Sequence, residues 1–307
     1  MTAKFDVAVV GGGITGLTAA HHAALEGVSV VHFAGGGVPG GLVANVGELE
    51  GFPATGAISA LDLALRLGEE NGALGVEVVV EDVTRLEANG RGWRLSTGDS
   101  GAPVSAKAVV AATGARLRML DLESARRLVD RGVSQCAWCN GSLHRGQEVV
   151  VIGGGDSALQ EALHLARYAS LVTVVTRGAE LRARRALVDR AAANVKIAFR
   201  WETDVLDILG DDAVTGIRLR DRAGESEDEI ACRGVFVYVG LEANAGWLQE
   251  LVARDEQGFV VIGPDLATAT PGLYAAGALR SGYGGRLTHA VGEATAAGIA
   301  AARFSEA

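Results

Sequence analysis

Cysteine is scarce, and what there is stands mostly in one place: three residues in 307, two of them at Cys136 and Cys139. So few thiols in so long a chain exclude a disulfide-framework scaffold. In a reducing compartment a Cys-x-x-Cys is more often catalytic or metal-binding than structural. Aromatic residues are also few, 5% of the chain against 49% hydrophobic, so the core must be built from Val, Ala and Leu. Positive charge is in deficit: 28 Lys and Arg face 37 Asp and Glu, a net charge of −9. A polyanion partner needs a basic patch to displace counterions. The one basic cluster, Arg182, Arg184, Arg185 and Arg190, is too local for a duplex, which excludes nucleic acid as the main partner. No apolar run reaches the roughly 18 residues of a membrane span. The N-terminus has no basic segment and cleavage site, and its first apolar run, Val7 to Val10, ends in glycines. The expectation is a cytoplasmic protein with no membrane partner.

Glycine, by contrast, is abundant: 43 residues, set in turns between apolar runs and not in tracts. Phe5 to Val10 reads as a buried strand. Gly11-Gly12-Gly13-Ile14-Thr15-Gly16 follows, then a helical run Leu17 to Leu25. Strand, G-x-G-x-x-G, helix is a dinucleotide-binding pattern: the glycines give a tight turn, room for a pyrophosphate at the backbone, and close packing of helix on strand. The helix N-terminus faces the phosphates. The next strand, Val28 to Phe33, should end in an acid for the ribose, but the residues there are His32, Phe33 and Ala34. A glycine-rich loop, Gly35 to Gly41, precedes a helix over Ala57 to Gly72. Strands are expected near Val76–Val80 and Trp93–Ser96, and at Ala108–Ala111, the last ending in the turn Thr113-Gly114.

The pattern then repeats. Glu148 to Ile152 reads as a strand, Gly153-Gly154-Gly155-Asp156-Ser157-Ala158 as a second glycine turn, Leu159 to Tyr168 as a helix, and Leu171 to Val175 as the next strand. Two such turns in one chain imply two nucleotides with electron traffic between them. The second unit's strand ends at Thr176-Arg177, and an arginine there suits the 2′-phosphate of NADP, with Arg182 as a second ligand. Val214–Leu219 and Gly234–Val239 read as strands of a meander. Gly272 to Gly277 reads as a strand running into a glycine, and Leu287 to Phe304 as a helix of small residues able to approach a cofactor or a strand closely.

Cys136-Ala137-Trp138-Cys139-Asn140-Gly141 stands just ahead of the second glycine turn. A thiol at a helix start ionises readily, and its exchange reactions pass through a mixed disulfide that a second thiol resolves. Half a zinc site, recruiting His144 and Cys232, or a pair of inert thiols are the other readings. Cys232 itself is expected in the core.

Together these motifs resemble the low-molecular-weight thioredoxin reductase family of FAD-dependent pyridine nucleotide-disulfide oxidoreductases. The match runs nearly end to end and is densest from Gly132 to Ala183. Ala112-Thr113-Gly114, Gly234 to Leu241, Pro271 to Gly277 and Gly292-Glu293 also match. The resemblance implies an α/β fold of two Rossmann-like three-layer dinucleotide-binding domains, the second inserted into the first. Residues 1–116 and 244–307 would form the FAD domain and 117–243 the NAD(P)H domain, with crossings near Ala115-Arg116 and Leu241-Glu242-Ala243-Asn244. It implies that Cys139 faces the flavin and Cys136 attacks the substrate. It implies FAD on Gly11, Gly13, Ile14, Thr15, Gly16, Gly40, Gly41, Val83, Thr113, Gly114, Gly277, Arg286, Leu287 and Thr288. NADPH would lie on Gly153, Gly155, Asp156, Ser157, Arg177 and Arg182, with NADH or no nicotinamide as alternatives. It further implies a homodimer acting on a thioredoxin-like protein or a small disulfide or dithiol, and no metal.

The chain departs from the family pattern in places. Asn140 stands where the family has an acid, and His144 or His289 are the candidates to replace it. Ala278 stands where an aspartate is usual, Leu42 where a glutamine is, and Gly51 where an asparagine is. Of the family's arginine set, Arg177 and Arg182 remain around Gly178. These departures motivate two alternatives: a dithiol oxidase that closes a disulfide in a small natural product with oxygen as acceptor, and a non-catalytic or redox-sensing relative.

Overall fold

In the computed structural model the described residues are all except 1–3, 36, 48, 50–51, 53–57, 99–100 and 225. Gly51 therefore lies outside them, as does the start of the helix expected from Ala57. The chain divides into two compact units, one of residues 1–116 and 242–307, the other of 117–241.

The first unit opens with β1 (Lys4–Val10), α1 (Ile14–Leu25), β2 (Val30–Phe33) and α2 (Ala60–Ala73). Strands β3 (Glu77–Val79), β4 (Val83–Asn89), β5 (Gly92–Thr97) and β6 (Val104–Ala111) follow. β1 pairs in parallel with β2 and β6, and β2 with β3, because the crossovers run through α1 and α2. The short-loop strands β4 and β5 pair antiparallel, extending the sheet beyond β6. β1 carries four consecutive buried residues, Val7 to Val10, the pattern of a strand covered on both faces. The chain leaves this unit through β7 (Ala115–Leu117).

The second unit comprises α3 (Glu123–Arg127), β8 (Val133–Ser134), α4 (Ala137–Asn140), β9 (Glu148–Ile152), α5 (Asp156–Leu165), β10 (Leu171–Val175), α6 (Arg185–Ala192), β11 (Ile197–Arg200), β12 (Thr203–Leu209), β13 (Gly216–Asp221), β14 (Glu227–Ala231) and β15 (Gly234–Val237). β16 (Leu241–Ala243) leads back and pairs with β7. The main sheet is parallel, in the order β11-β10-β9-β15-β8. Two β9–β10 strands with α5 as crossover repeat the plan of the first unit. The expected meander needs correction. β12, β13 and β14 form it, antiparallel, whereas Gly234–Val237 leaves it and inserts between β9 and β8. All four residues of β15 are buried, as a central parallel strand requires.

The first unit closes with β17 (Leu273–Ala275), parallel to the end of β6, and the helix α7 (Leu287–Glu306). The small residues of α7 pack against both the sheet and another helix: Ala294, Ala297, Ala301 and Ala302 share a buried cluster with Val7 and Val9 of β1 and Ala108 and Val110 of β6. A methyl on Gly298 would lie 2.4 Å from the Ala19 carbonyl oxygen of α1. No helix among the described residues is long and apolar enough to cross a membrane.

Candidate active site

Both glycine turns are built alike. Gly11 and Gly153 have φ of +130° and +140°, and a methyl on either would lie 2.2 Å from Ala112 O or 2.3 Å from Tyr238 O. Each is thus fixed as glycine by backbone angle and by the neighbouring strand. Gly13 and Gly155 are the N-caps of α1 and α5, and neither helix has a side-chain cap. The first intrahelical bonds come from Leu17 N and Leu159 N, so the amides of 14–16 and 156–158 precede them unbonded within the helix. A methyl on Gly155 would have no atom within 4 Å, and one on Gly13 none nearer than 3.7 Å. Open backbone before uncapped helix amides is what a pyrophosphate fits.

The end of β2 lacks the ribose acid because His32 has another task. It is buried, and its Nε2 hydrogen-bonds the Gly11 carbonyl at 2.9 Å. Burial lowers its pKa, so the ring is a neutral donor that fixes the first turn. Gly40 and Gly41 close on the same turn, with Gly40 N donating to Gly12 O at 3.0 Å. Thr15 packs on Gly277, where a methyl would lie 2.4 Å from its Oγ1. Gly277 N donates to Glu293 Oε2 at 2.9 Å, and Arg280 grips both oxygens of that carboxylate. The segment that carries Ala278 is held this way. Arg286 caps α7, whose first turn holds Leu287 and Thr288, and the Tyr283 hydroxyl donates to Arg286 O at 2.7 Å.

Three expected contacts are placed differently. The Val83 side chain is buried in the core with Leu86, Trp93 and Leu95, so that residue has only backbone to offer a ligand. The Thr113 hydroxyl is engaged by Asn244 O at 2.8 Å and Trp247 Nε1 at 3.2 Å, with Gly114 beside it accepting from Asn244 N. The Asp156 carboxylate faces Arg184, accepting from its amide at 2.7 Å and pairing with its Nε at 2.7 Å. Arg182 N donates to Gly154 O at 2.8 Å. Asp156 therefore pins the basic loop to the turn, leaving Ser157 and the exposed Arg177 nearer to ligand-binding roles.

Cys136 and Cys139 are joined in a disulfide, Cα to Cα 5.3 Å. Cys136 is the N-cap of α4, and its Sγ accepts from Cys139 N at 3.1 Å. The Ser134 hydroxyl accepts from Cys136 N at 3.1 Å and from Asn140 Nδ2 at 3.0 Å. Asn140 is therefore a brace, not an acid. Trp138 stacks on His164, centroids 3.9 Å apart. His144 turns toward Phe236 and Gln147, and His289 lies against Gly284. Cys232 is buried in the core, and burial pushes its thiol up to about 12. Among the described residues no three His, Cys, Asp or Glu side chains converge as a metal site. Glu161 is absent from the residues expected at the site, and its buried carboxyl accepts from Ala137 N at 3.1 Å. Its neighbours one turn away, Ala158 and Leu165, are both buried, and that stripe was the available signal.

The family described as pyridine nucleotide-disulphide oxidoreductase matches residues 5–294. The thioredoxin reductase of Listeria innocua is 35% identical over 303 residues, 98% of this chain and 94% of its own. That of Streptomyces clavuligerus is 35% identical over 274 residues, 89% of this chain and 85% of its own. The crystal structure of Lactococcus lactis thioredoxin reductase superposes with a TM-score of 0.94 at 34% identity, covering 98% of this chain and 99% of that one.

Proposed function

The chain belongs to the pyridine nucleotide-disulphide oxidoreductase family, and from that premise we propose that its substrate is the disulfide of a thioredoxin-like protein. It is a thioredoxin-reductase-like, flavin-dependent disulfide oxidoreductase, and its cofactors are FAD and NADPH. Curated relatives named thioredoxin reductase support the substrate. The observation that carries the reading is the closed Cys136–Cys139 disulfide at the start of α4, in the same unit as an open glycine turn.

Bound FAD supplies two-electron transfer between NADPH and a disulfide. The residues that would hold it are Gly11, Gly13, Gly16 and the amides of Ile14 and Thr15, closed over by Gly40 and Gly41. Gly114, Gly277, Arg286, Leu287 and Thr288 complete the set. Gly153, Gly155 and Ser157 would hold the NADPH pyrophosphate, with Arg177 and Arg182 for the 2′-phosphate. Two electrons and two protons open the disulfide to two thiols. The Cys136 thiolate then attacks one sulfur of the substrate disulfide and expels the other as a thiolate. Cys139 attacks Cys136 in the mixed disulfide, re-forming the internal bond and releasing the second substrate thiol. The helix amides at Cys136 favour its thiolate. The working unit in this reading is a cytoplasmic homodimer, in keeping with the family.

Anaerobic NADPH should bleach the flavin of the purified protein, and oxidised thioredoxin should restore its colour. Oxygen uptake with a dithiol, and no response to nicotinamide, would replace this reading with the dithiol oxidase. Arg177→Ala should raise the KM for NADPH by about 10-fold, the scale of one lost charge-assisted contact. The KM for NADH should not move, because NADH has no 2′-phosphate. Equal changes for both nucleotides in steady-state kinetics would remove Arg177 from the site.

A further inference from the structure

Glu161 is the only carboxyl-bearing side chain among the described residues that is buried. It lies on α5 with His164 one turn further on, and that face sits beneath the redox helix: His164 stacks on Trp138 and Glu161 meets Ala137. Both contacted residues lie between the two cysteines. Glu161 Oε2 takes the Ala137 amide at 3.1 Å and the Tyr238 hydroxyl at 3.4 Å. With Asn140 committed to Ser134, no acid follows Cys139, so the carboxyl nearest the pair in the hydrogen-bond network is Glu161.

We infer that Glu161 is a positioning residue for the thiol pair: its carboxyl holds the Ala137 amide behind α4, and a charge on it opposes ionisation of Cys136. The electrostatics run through the helix start. Amides there stabilise a thiolate at the N-cap. A neutral carboxyl accepts the Ala137 N–H without adding charge. An ionised one occupies the same donor and sets a second negative charge on the amide next in the chain to Cys136, so the two groups titrate as a coupled pair. Desolvation supplies the poise, raising the Glu161 carboxyl to about 7 against the two hydrogen bonds that favour its ionised form.

The groups facing Glu161 leave it without a compensating cation. From the end of β15, burial and the adjacent Glu161 keep the Tyr238 phenol protonated. On α5 itself, burial holds His164 neutral by lowering its pKa. After α4, His144 is lowered by burial and turned to Gln147. Beside α6, Arg184 is paired with Asp156 at the far end of α5. Exchange itself is unchanged: two electrons pass from the dithiol to the substrate disulfide, and the two thiol protons end on the two product thiols.

The inference rests on the reading of Cys136 as the attacking thiol. Its test uses neither nicotinamide nor a disulfide substrate, so the two fail separately. In the flavin-loaded Cys139→Ser protein, Cys136 is the reactive thiol, Cys232 being buried. Its alkylation by iodoacetamide should rise with pH in two steps, one of them near pH 7. Adding Glu161→Gln, which keeps an oxygen for the Ala137 amide, should leave one step, at a midpoint lower by roughly 1 unit, the scale of a nearby like charge. Identical profiles with and without Glu161→Gln would overturn the inference. If the double variant does not fold, a single one-proton curve for Cys139→Ser alone would overturn it equally.

Discussion

Cys136→Ser should abolish NADPH-dependent reduction of thioredoxin or of a small aromatic disulfide, by a factor on the order of 10³ or more. The loss is chemical. As N-cap of α4, Cys136 accepts the Cys139 amide through Sγ, and a serine Oγ is a better acceptor for that bond. The helix start therefore survives while the nucleophile goes, since a serine hydroxyl here has no base to activate it: Asn140 is bonded to Ser134, and His144 to Gln147. Cys139→Ser loses turnover equally but by another route. Cys136 still attacks but the mixed disulfide is not resolved, so a single-cysteine thioredoxin supplied as its mixed disulfide with an aryl thiol stays covalently attached as the aryl thiolate leaves. Mass spectrometry of the trapped adduct distinguishes the two variants. Transfer from NADPH to a quinone, which needs neither thiol, should stay within about twofold in both. Undiminished disulfide reduction in either serine variant would end the thiol mechanism.

The parallel cores were the most readable part of the sequence. β9 and β10 are apolar runs broken only by Glu148 at the edge of one and Thr173 within the other, and their observed limits, Glu148–Ile152 and Leu171–Val175, are those the pattern predicts. Gly234–Val237 is an unbroken apolar run as well, and its assignment with Val214–Leu219 to a meander is the one that the parallel pairing with β9 and β8 overturns. Burial on both faces was the better guide, since a meander strand alternates. β12 was missed because the register shift between Val205 and Asp207 breaks the alternation of its core-facing Val205 and Ile208, and β14 because Glu227–Ala231 is mostly exposed and acidic.

The candidate site divides in the same way. Cys136, Cys139 and the glycine turns are legible because their chemistry is fixed by spacing along the chain. His32, Asp156 and Glu161 are not, because each is defined by a partner brought in by the fold: Gly11 O, Arg184 and Ala137 N. Asp156 illustrates the cost of reading by position alone. At the start of α5 it looked like a ligand contact, yet a carboxylate there would repel a pyrophosphate unless neutralised. The pairing with Arg184 neutralises it and anchors the loop carrying Arg182 at once.

Gly155→Val should raise the KM for NADPH on the order of 10²-fold, the scale at which misplacement of a bound group is felt, without unfolding the protein. Gly155 has φ −98° and ψ −178°, extended backbone that valine adopts freely. No atom lies within 4 Å of the position its Cβ would take. The stability cost is that of a poorer N-cap, about 1 kcal/mol or less. The space the side chain fills is the approach to the α5 amides, so the penalty falls on a phosphate and not on the fold. Flavin content and flavin reduction by dithiothreitol should be unchanged, because the first glycine turn and the cysteines are untouched. Gly153→Val is the contrasting control: at φ +140° and 2.3 Å from Tyr238 O it should lower the thermal midpoint of the protein outright. The pair separates two ways of losing activity, since only a nucleotide site suffers from filling a space that the protein itself leaves open. An unchanged KM in Gly155→Val, measured on protein with full flavin content, would remove NADPH from the second turn.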